Sequence, residues 1–212
     1  MRRDIEARSS LLGALRLAGF RADGLAFFDN SPSRARRSFR QVIPLMLMGF
    51  IAMAMLRPVS VTGADGTAEY VMAFTALASE RGSSMGFWIA MNMLAQILKW
   101  AAFLVLAFEV MRLMDQAKYF YRFVQVFNWM LVVRMMVILA PLLLVVTGMI
   151  SLPAGHSAVI AVSWLALGYQ WYGYRVALAI PGSLALSLIL IETIMSVFIS
   201  GIALGMLKQG VG

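Results

Sequence analysis

Five long apolar stretches, separated by polar connections, dominate the chain. They predict membrane-spanning helices at about 39–56, 87–110, 124–150, 158–172 and 184–207. A segment that crosses lipid must satisfy its own backbone hydrogen bonds, which an α-helix does. A membrane β-barrel would instead show segments of ~10 residues with alternating polarity. The pattern therefore predicts an all-α, polytopic membrane helical bundle of about five transmembrane helices.

Two of these stretches are short for a hydrocarbon core that needs ~20 residues. The first contains Pro44 and ends at Arg57, and arginines at its ends can extend toward the headgroups. The fourth either crosses the membrane completely or re-enters on one side, and the pattern leaves both open. The predicted organisation is an arm at 1–40 followed by a transmembrane domain at 41–207.

The arm is basic and partly amphipathic. Ser9 and Ser10 are candidate N-caps of a short helix with an apolar stripe. This helix either lies in the headgroup plane or packs on the bundle or on a cytosolic partner. Ser31 and Pro32 then predict an N-cap and a first helical residue. The stripe consists of Leu11, Leu12, Leu15 and Ala18, and the arginines predicted to face the membrane surface are Arg8, Arg16, Arg34, Arg36, Arg37 and Arg40.

The connection between the first two spans is polar at both ends. Tyr70, Val71, Phe74 and Leu77 recur in it at helical spacing. This spacing predicts a short helix resting on the membrane surface.

Composition supports a lipid environment. Apolar residues make up 61% of the chain and charged residues 13%, and the mean hydropathy is +0.82. Soluble domains average about 45–50% apolar and about 25% charged residues. The chain has no cysteine, which excludes disulfides, thiolate metal sites and cysteine nucleophiles. The N-terminus does not have the pattern of a secretory signal.

The charge distribution predicts the orientation. The net charge is +8, and nine of the 18 Lys and Arg residues lie in the first 40 positions. Such a cluster before a span indicates a cytoplasmic segment that faces anionic lipid. Without a zinc-finger or RNA-binding signature, we do not expect a nucleic acid partner. The connection at 111–123 is also basic, and an odd number of spans then leaves the C-terminus outside.

Four ionisable residues lie inside the predicted spans: Lys99, Glu109, Arg134 and Glu192. Such groups cost several kcal/mol at the membrane centre unless they are paired or hydrated, so each is a candidate functional residue. We expect Arg134 and Glu192 to form an ion pair between spans three and five, with Lys99 as a competing partner for Glu192. Glu109 is expected to meet headgroups or Arg112.

Neutral side chains offer two further signals for helix packing. Asn128 can bridge helices near the inner start of span three, where Trp129 can anchor at the interface. Span five carries small residues four apart, which let helix backbones approach closely. A contact within the chain is favoured over one with another subunit. These small residues are Ser196, Ser200, Gly201 and Gly205.

No motif indicates catalysis. His156 is the only histidine and falls in a predicted outer loop, so an imidazole metal site or a catalytic triad lacks its parts. No phosphate-binding, dinucleotide or metalloprotease motif is present. The 17 methionines are scattered and are interpreted as packing residues. The chain is therefore predicted to have no catalytic, cofactor or metal site.

One stretch resembles a known family. The residues Tyr169-Gln170-Trp171-Tyr172, followed by Arg175 and an apolar final span, are similar to the fourth-to-fifth helix region of bacterial Yip1-like membrane proteins. Asn128-Trp129 and the Phe27-Phe28-Asp29 segment of the arm fit the same resemblance. It implies a five-helix protein of the bacterial inner membrane with a cytoplasmic N-terminus and no assignable catalytic residue.

Two function classes remain open. The first is a non-catalytic scaffold or accessory subunit, or a membrane-organising factor, with lipid and other membrane subunits as partners. The second is a small transporter or channel that uses Lys99, Arg134 and Glu192. A cavity that touches these residues would favour transport, whereas close side-chain pairing would favour a structural role.

Overall fold

A computed structural model describes the backbone of residues 2–56, 58–62, 68–72 and 85–209, and side chains within 5–49, 51–52, 56 and 89–202. This part of the chain contains six α-helices, two short 3-10 helices at Ala22–Phe27 and Ala117–Tyr119, and one hairpin. The α-helices are α1 (Arg2–Ala18), α2 (Pro32–Leu56), α3 (Met85–Leu113), α4 (Phe120–Val146), α5 (Leu152–Leu178) and α6 (Gly182–Gln209).

Four helices are long and apolar enough to cross a membrane, judged by length and composition. They are Ile89–Leu113, Ala117–Val146, Leu152–Leu178 and Gly182–Ile202. A helical, multi-pass membrane protein is thus confirmed. The predicted fifth span is not, because α2 is not among the candidates within the described residues. Residues 50 and 53–55 in its apolar half lie outside the described side chains, so a crossing by α2 stays a prediction.

The fourth predicted span is longer than expected. Helix α5 covers 27 residues rather than the predicted 158–172, so it spans about 40 Å at 1.5 Å per residue. Ser151 caps it by accepting a hydrogen bond from the backbone N–H of Ala154. His156 therefore lies in the first turns of α5, and its predicted loop position was wrong.

Helix α4 lies at the centre of the bundle. Every residue from Phe123 to Met130 is buried, which is typical of a helix with protein on all sides. Helices α2 and α5 pack on α4, while α6 packs on α3 and α5. Met135 of α4 fills the space beside Gly49 of α2. Helix α2 therefore remains in contact with α4 as far as Gly49.

An aromatic cluster joins three of the helices. Phe103 of α3 stacks on Tyr174 of α5 with ring centroids 5.5 Å apart, and it lies 5.1 Å from Phe127 of α4. Phe123 meets the edge of Tyr174 at 5.4 Å. These contacts fix the fully buried Tyr174 ring, and they hold its hydroxyl in place at the site described below.

Helix α1 begins at Arg2, so the predicted N-caps Ser9 and Ser10 lie inside it. The Ser9 hydroxyl donates to the carbonyl oxygen of Glu6 within the same helix. The predicted apolar stripe is divided between two faces. Leu11 and Ala18 are partly buried against the bundle, whereas Leu12 and Leu15 are 45% and 48% exposed. The completely buried residues of α1 are Ala14 and Leu17, which the predicted stripe did not include, so α1 packs on the bundle through its inner face.

The turn before α2 matches the prediction. Ser31 caps α2 by accepting a hydrogen bond from the Arg34 backbone N–H at 3.2 Å, and Pro32 is the first helical residue. The Asn30 side chain accepts from the Arg122 backbone N–H at 3.1 Å and donates to the carbonyl of Lys118. The arm is thus fastened to the basic connection between α3 and α4.

The predicted surface helix after the first span is wrong where the structure describes it. Pro58–Thr62 (β1) and Ala68–Met72 (β2) pair as an antiparallel hairpin, and Tyr70 and Val71 lie in β2. Phe74 and Leu77 lie outside the described residues. Valines and a threonine in β1 favour a strand because β-branched side chains fit a pleated surface.

Candidate functional site: a polar cavity at mid-depth

Three helices bring ionisable side chains to a similar depth. Lys99 stands 14 residues before the end of α3, and Arg134 stands 14 residues after the start of α4. Both are therefore about 21 Å from the end of the bundle that carries the basic connections. Glu192 is 10 residues into α6, or about 15 Å from the same end. These positions are near the middle of the candidate spans.

These side chains line a cavity of about 140 Å³ that is bounded by α2, α3, α4 and α6. Its remaining wall is apolar, with Met46, Phe103, Phe127 and Met135 among its members. The cavity thus places a small polar surface inside an otherwise apolar bundle. Its polar lining residues are Gln96, Lys99, Trp100, Arg134, Glu192 and Ser196.

The predicted direct ion pair between Arg134 and Glu192 is wrong. The ion pairs among the described side chains do not include it. Instead, Gln170 of α5 lies between the two groups. Its carbonyl oxygen accepts from Arg134 Nη1 at 3.0 Å, and its amide nitrogen donates to Glu192 Oε2. An amide can join both groups because it carries a donor and an acceptor.

Tyr174 completes this network. Its hydroxyl donates to Glu192 Oε2 at 2.6 Å and accepts from Gln170 Nε2 at 2.9 Å. Gln170 and Tyr174 are four residues apart on α5, so they share one face of the helix. The network connects α4, α5 and α6, and it compensates for the burial of Glu192 by charge-assisted hydrogen bonds.

Lys99 is arranged differently. It lines the cavity, yet within the described side chains its ammonium group has neither an ion-pair nor a hydrogen-bond partner. The neighbouring Trp100 also lines the cavity, and its indole N–H is buried without an acceptor in the described part of the structure. Lys99 is half-buried, so its ammonium group is the donor that the cavity offers, whereas the Trp100 nitrogen is sealed from it and Trp100 contributes other ring atoms to the wall.

A second cavity of about 110 Å³ adjoins the first. It lies between α2 and α3 and is lined by Ile43, Met46, Leu47, Gln96, Ile97 and Trp100. Met46, Gln96 and Trp100 border both cavities. The two spaces are therefore neighbours, one polar and one apolar.

Asn128 lies outside the cavity and bridges helices, as its sequence position indicated. Its side chain is completely buried and donates to the Ser38 hydroxyl of α2 at 2.9 Å. The prediction for Trp129 was wrong, because this residue is only 3% exposed and cannot anchor at the interface. Both observations follow because Asn128 and Trp129 lie in the segment 123–130 of α4, where every residue is buried.

The small residues of α6 do not all pack inside the chain. Ser196 is half-buried and lines the cavity. Ser200 and Gly201 are exposed, and a Cβ atom added at Gly201 would meet no described atom within 4 Å. The side chain of the fourth predicted residue, Gly205, lies outside the described set. Gly201 therefore has no packing partner among the described residues, and the favoured contact within the chain stays a prediction.

Glu109 and the arginines of the arm lie near the basic end. Glu109 pairs with Arg112 at 2.6 Å, which confirms one of its two predicted partners. Of the six arginines predicted to face the membrane surface, three form ion pairs with Asp23, Asp29 and Glu6, and the other three are exposed. The paired residues are Arg16, Arg34 and Arg37, and the exposed ones are Arg8, Arg36 and Arg40.

Sequence reasoning missed Gln96, Trp100, Gln170 and Tyr174 as site residues. A signal was present for two of them, since a glutamine inside an apolar span is rare enough to deserve the same attention as a charge. Tyr174 follows Gln170 by one helical turn. No pattern singled out Trp100, because its role depends on the neighbouring helix.

Comparison of the chain with protein family models, with curated proteins and with solved structures finds no match in any of the three. The resemblance to Yip1-like proteins therefore stays a prediction.

Proposed function

We propose that this multi-pass membrane protein binds a small anionic solute in the mid-depth cavity and carries it across the membrane. The observation that supports this most is Lys99, a cation beside a cavity with no partner within the described side chains. A purely structural lysine would be expected to have a counter-ion at this depth. Binding at the midplane, between helices, is the usual location of a solute site in transporters.

The sign of the ligand's charge follows from the charges around the cavity. Arg134 and Glu192 offset one another through Gln170, which leaves Lys99 as the surplus positive charge. The indole nitrogen of Trp100 is sealed inside the protein, so Trp100 forms part of the cavity wall and is not a second donor. A monoanion would neutralise the Lys99 ammonium group and accept its hydrogen bonds. The proposal assigns the Arg134–Gln170–Glu192–Tyr174 network to structure, and Lys99 to binding.

The proposed topology places the basic end in the cytoplasm of a bacterium, at its inner membrane. The Arg122 side chain donates to the carbonyl of Ala177, so the basic connections lie together at one end. The connection at the opposite end, 147–151, carries no charge. The close packing of α2 on α4 supports a fifth crossing by α2, with an external C-terminus. Chemistry on the solute forms no part of the proposal, which is non-catalytic.

Charge-selective modification of a single cysteine tests this function. The natural chain has no cysteine, so Ser196→Cys creates a unique thiol at the cavity. The protein is reconstituted in lipid vesicles and treated with an anionic and with a cationic methanethiosulfonate of similar size. We expect the anionic reagent to react at least tenfold faster, because Lys99 attracts it. In a Lys99→Gln background, this preference should disappear.

Val197→Cys is the matched control. It is the next residue on α6 and is 67% exposed on the outside of the bundle, where lipid excludes charged reagents. Equal, slow labelling of the two thiols would contradict an accessible cavity. Fast labelling of Ser196→Cys without anion preference would contradict an anion site.

An accessory or scaffolding role is the second candidate. It is favoured by the outward face of α6, where Gly201 meets no described atom and Phe198 is 68% exposed. Such a face can receive a helix of another membrane subunit. A photocrosslinker at Phe198 should then capture one defined protein in native membranes. Crosslinks to lipid alone would count against this role.

A further inference from the structure

The apolar cavity beside the anion site lies at the surface of the bundle. Ile43 of α2 and Ile97 of α3, which line it, are 37% and 47% exposed. Ile97 is 16 residues from the end of α3, or about 24 Å from the basic end of the bundle. We expect this depth to lie within the hydrocarbon of the membrane. The apolar cavity can therefore be entered sideways from the lipid.

The two cavities together have an amphipathic character. Trp100 separates them, and Gln96 and Met46 complete the shared border. On one side are Lys99 and the charged network, and on the other are aliphatic side chains only. A ligand that occupies both spaces needs a compact anionic head joined directly to an apolar chain.

We propose that the ligand is an amphiphilic carboxylate, with its head near Lys99 and Trp100 and its alkyl chain in the space between α2 and α3. This inference rests on the proposed function and specifies its substrate class. A carboxylate carries one negative charge on acceptor oxygens, which matches the one surplus ammonium group at the cavity. The apolar cavity, of about 110 Å³, suits one alkyl chain better than the two chains of a diacyl lipid.

Binding of butyrate and of decanoate to the protein in lipid nanodiscs tests the inference. Titration calorimetry measures both, and empty nanodiscs correct for partition into lipid. We expect decanoate to bind at least tenfold more tightly than butyrate, because burying each further methylene group favours binding. Lys99→Gln should weaken both ligands at least tenfold, since it removes the cation from the carboxylate site.

A space-filling variant separates the chain site from the anion site. Leu47→Trp should fill the apolar cavity, weaken decanoate at least fivefold and leave butyrate unchanged. Met48→Trp is the matched control, because Met48 is 70% exposed and does not line the cavity. It should change neither affinity.

The outcomes distinguish the two proposals. Lys99-dependent binding of butyrate without a gain for decanoate would overturn the amphiphilic ligand and leave the anion site standing. Equal losses for both ligands in Leu47→Trp would overturn it too. If neither carboxylate binds above empty nanodiscs, both proposals fail. Lys99-dependent binding of decanoate alone, sensitive to Leu47→Trp, supports the amphiphilic ligand.

Discussion

Replacing Gln170 by methionine should destabilise the bundle, because this amide connects the guanidinium of α4 with the carboxylate of α6. The two side chains have similar length and volume, so Gln170→Met removes hydrogen bonds without opening a large cavity. Arg134 would lose its 3.0 Å acceptor, and Glu192 would lose one of its two donors. The charged groups themselves would remain half-buried in the bundle.

The magnitude follows from the number and setting of these bonds. Hydrogen bonds to charged groups contribute about 1.5–3 kcal/mol in soluble proteins. Interhelical bonds within membranes average about 0.6 kcal/mol and reach about 1.7 kcal/mol. Since two interhelical bonds are lost here, we expect the free energy of unfolding to fall by roughly 1–3 kcal/mol.

Reversible unfolding in mixed detergent micelles, followed by circular dichroism, measures this loss. Leu165→Met is the matched control, because Leu165 lies on the same helix and is 71% exposed. Tyr174→Phe adds a coupling test: since its hydroxyl shares Glu192 with Gln170, the two losses should not be additive. A Gln170→Met variant as stable as the control would refute the bridging role.

Three other changes test the packing of the arm and of α2. Ser38→Ala should lower the free energy of unfolding by about 1–2 kcal/mol, because the buried Asn128 amide loses its acceptor; chemical unfolding measures it. Gly24→Ala should loosen the arm, because its Cβ would lie 2.5 Å from the backbone oxygen of Gly13; limited proteolysis should then cut the arm faster. A nitroxide at Leu15→Cys should be reached by oxygen more readily than by a nickel chelate, because we expect the exposed leucines on the outer face of α1 to meet lipid.

Each of these changes has a control nearby in the chain. Ser33→Ala removes an exposed hydroxyl whose one contact among the described residues is the Ser31 hydroxyl at 3.3 Å, and it should change stability far less than Ser38→Ala. Gly19→Ala places a Cβ no closer than 3.4 Å to its neighbours, so the arm should stay docked. A nitroxide at Arg36→Cys should prefer the nickel chelate, because this exposed position belongs to the basic end. If a variant and its control gave the same result, the contact that the variant tests would be contradicted.

Long apolar runs and local caps could be predicted from the sequence because their causes are local. The cap at Ser31 depends on residues within one helical turn, and the length of an apolar run is set by the bilayer. The hairpin was missed, although Val59, Val61 and Thr62 are β-branched and Asp65-Gly66 is a common hairpin turn sequence. The helical spacing of Tyr70, Val71, Phe74 and Leu77 was a weaker indicator of structure than these hairpin signals.

The site could be predicted only in part, because it depends on how helices rotate against each other. The sequence predicts Lys99, Arg134 and Glu192 inside the membrane because they are charged residues within apolar runs. The structure brings all three to one cavity. Which group each charged side chain contacts depends on the tertiary structure. Gln170 reaches both Arg134 and Glu192 only because α5 packs between them, and Lys99 is left unsatisfied by the same arrangement.

An anomalous difference map would test the anion site most directly. The protein is crystallised from lipid in sodium bromide, and data are collected at the bromine absorption edge. The account predicts a bromide peak in the mid-depth cavity, within about 3.5 Å of Lys99 Nζ. A cavity without bromide, in which Lys99 forms a direct ion pair with Glu192, would contradict it.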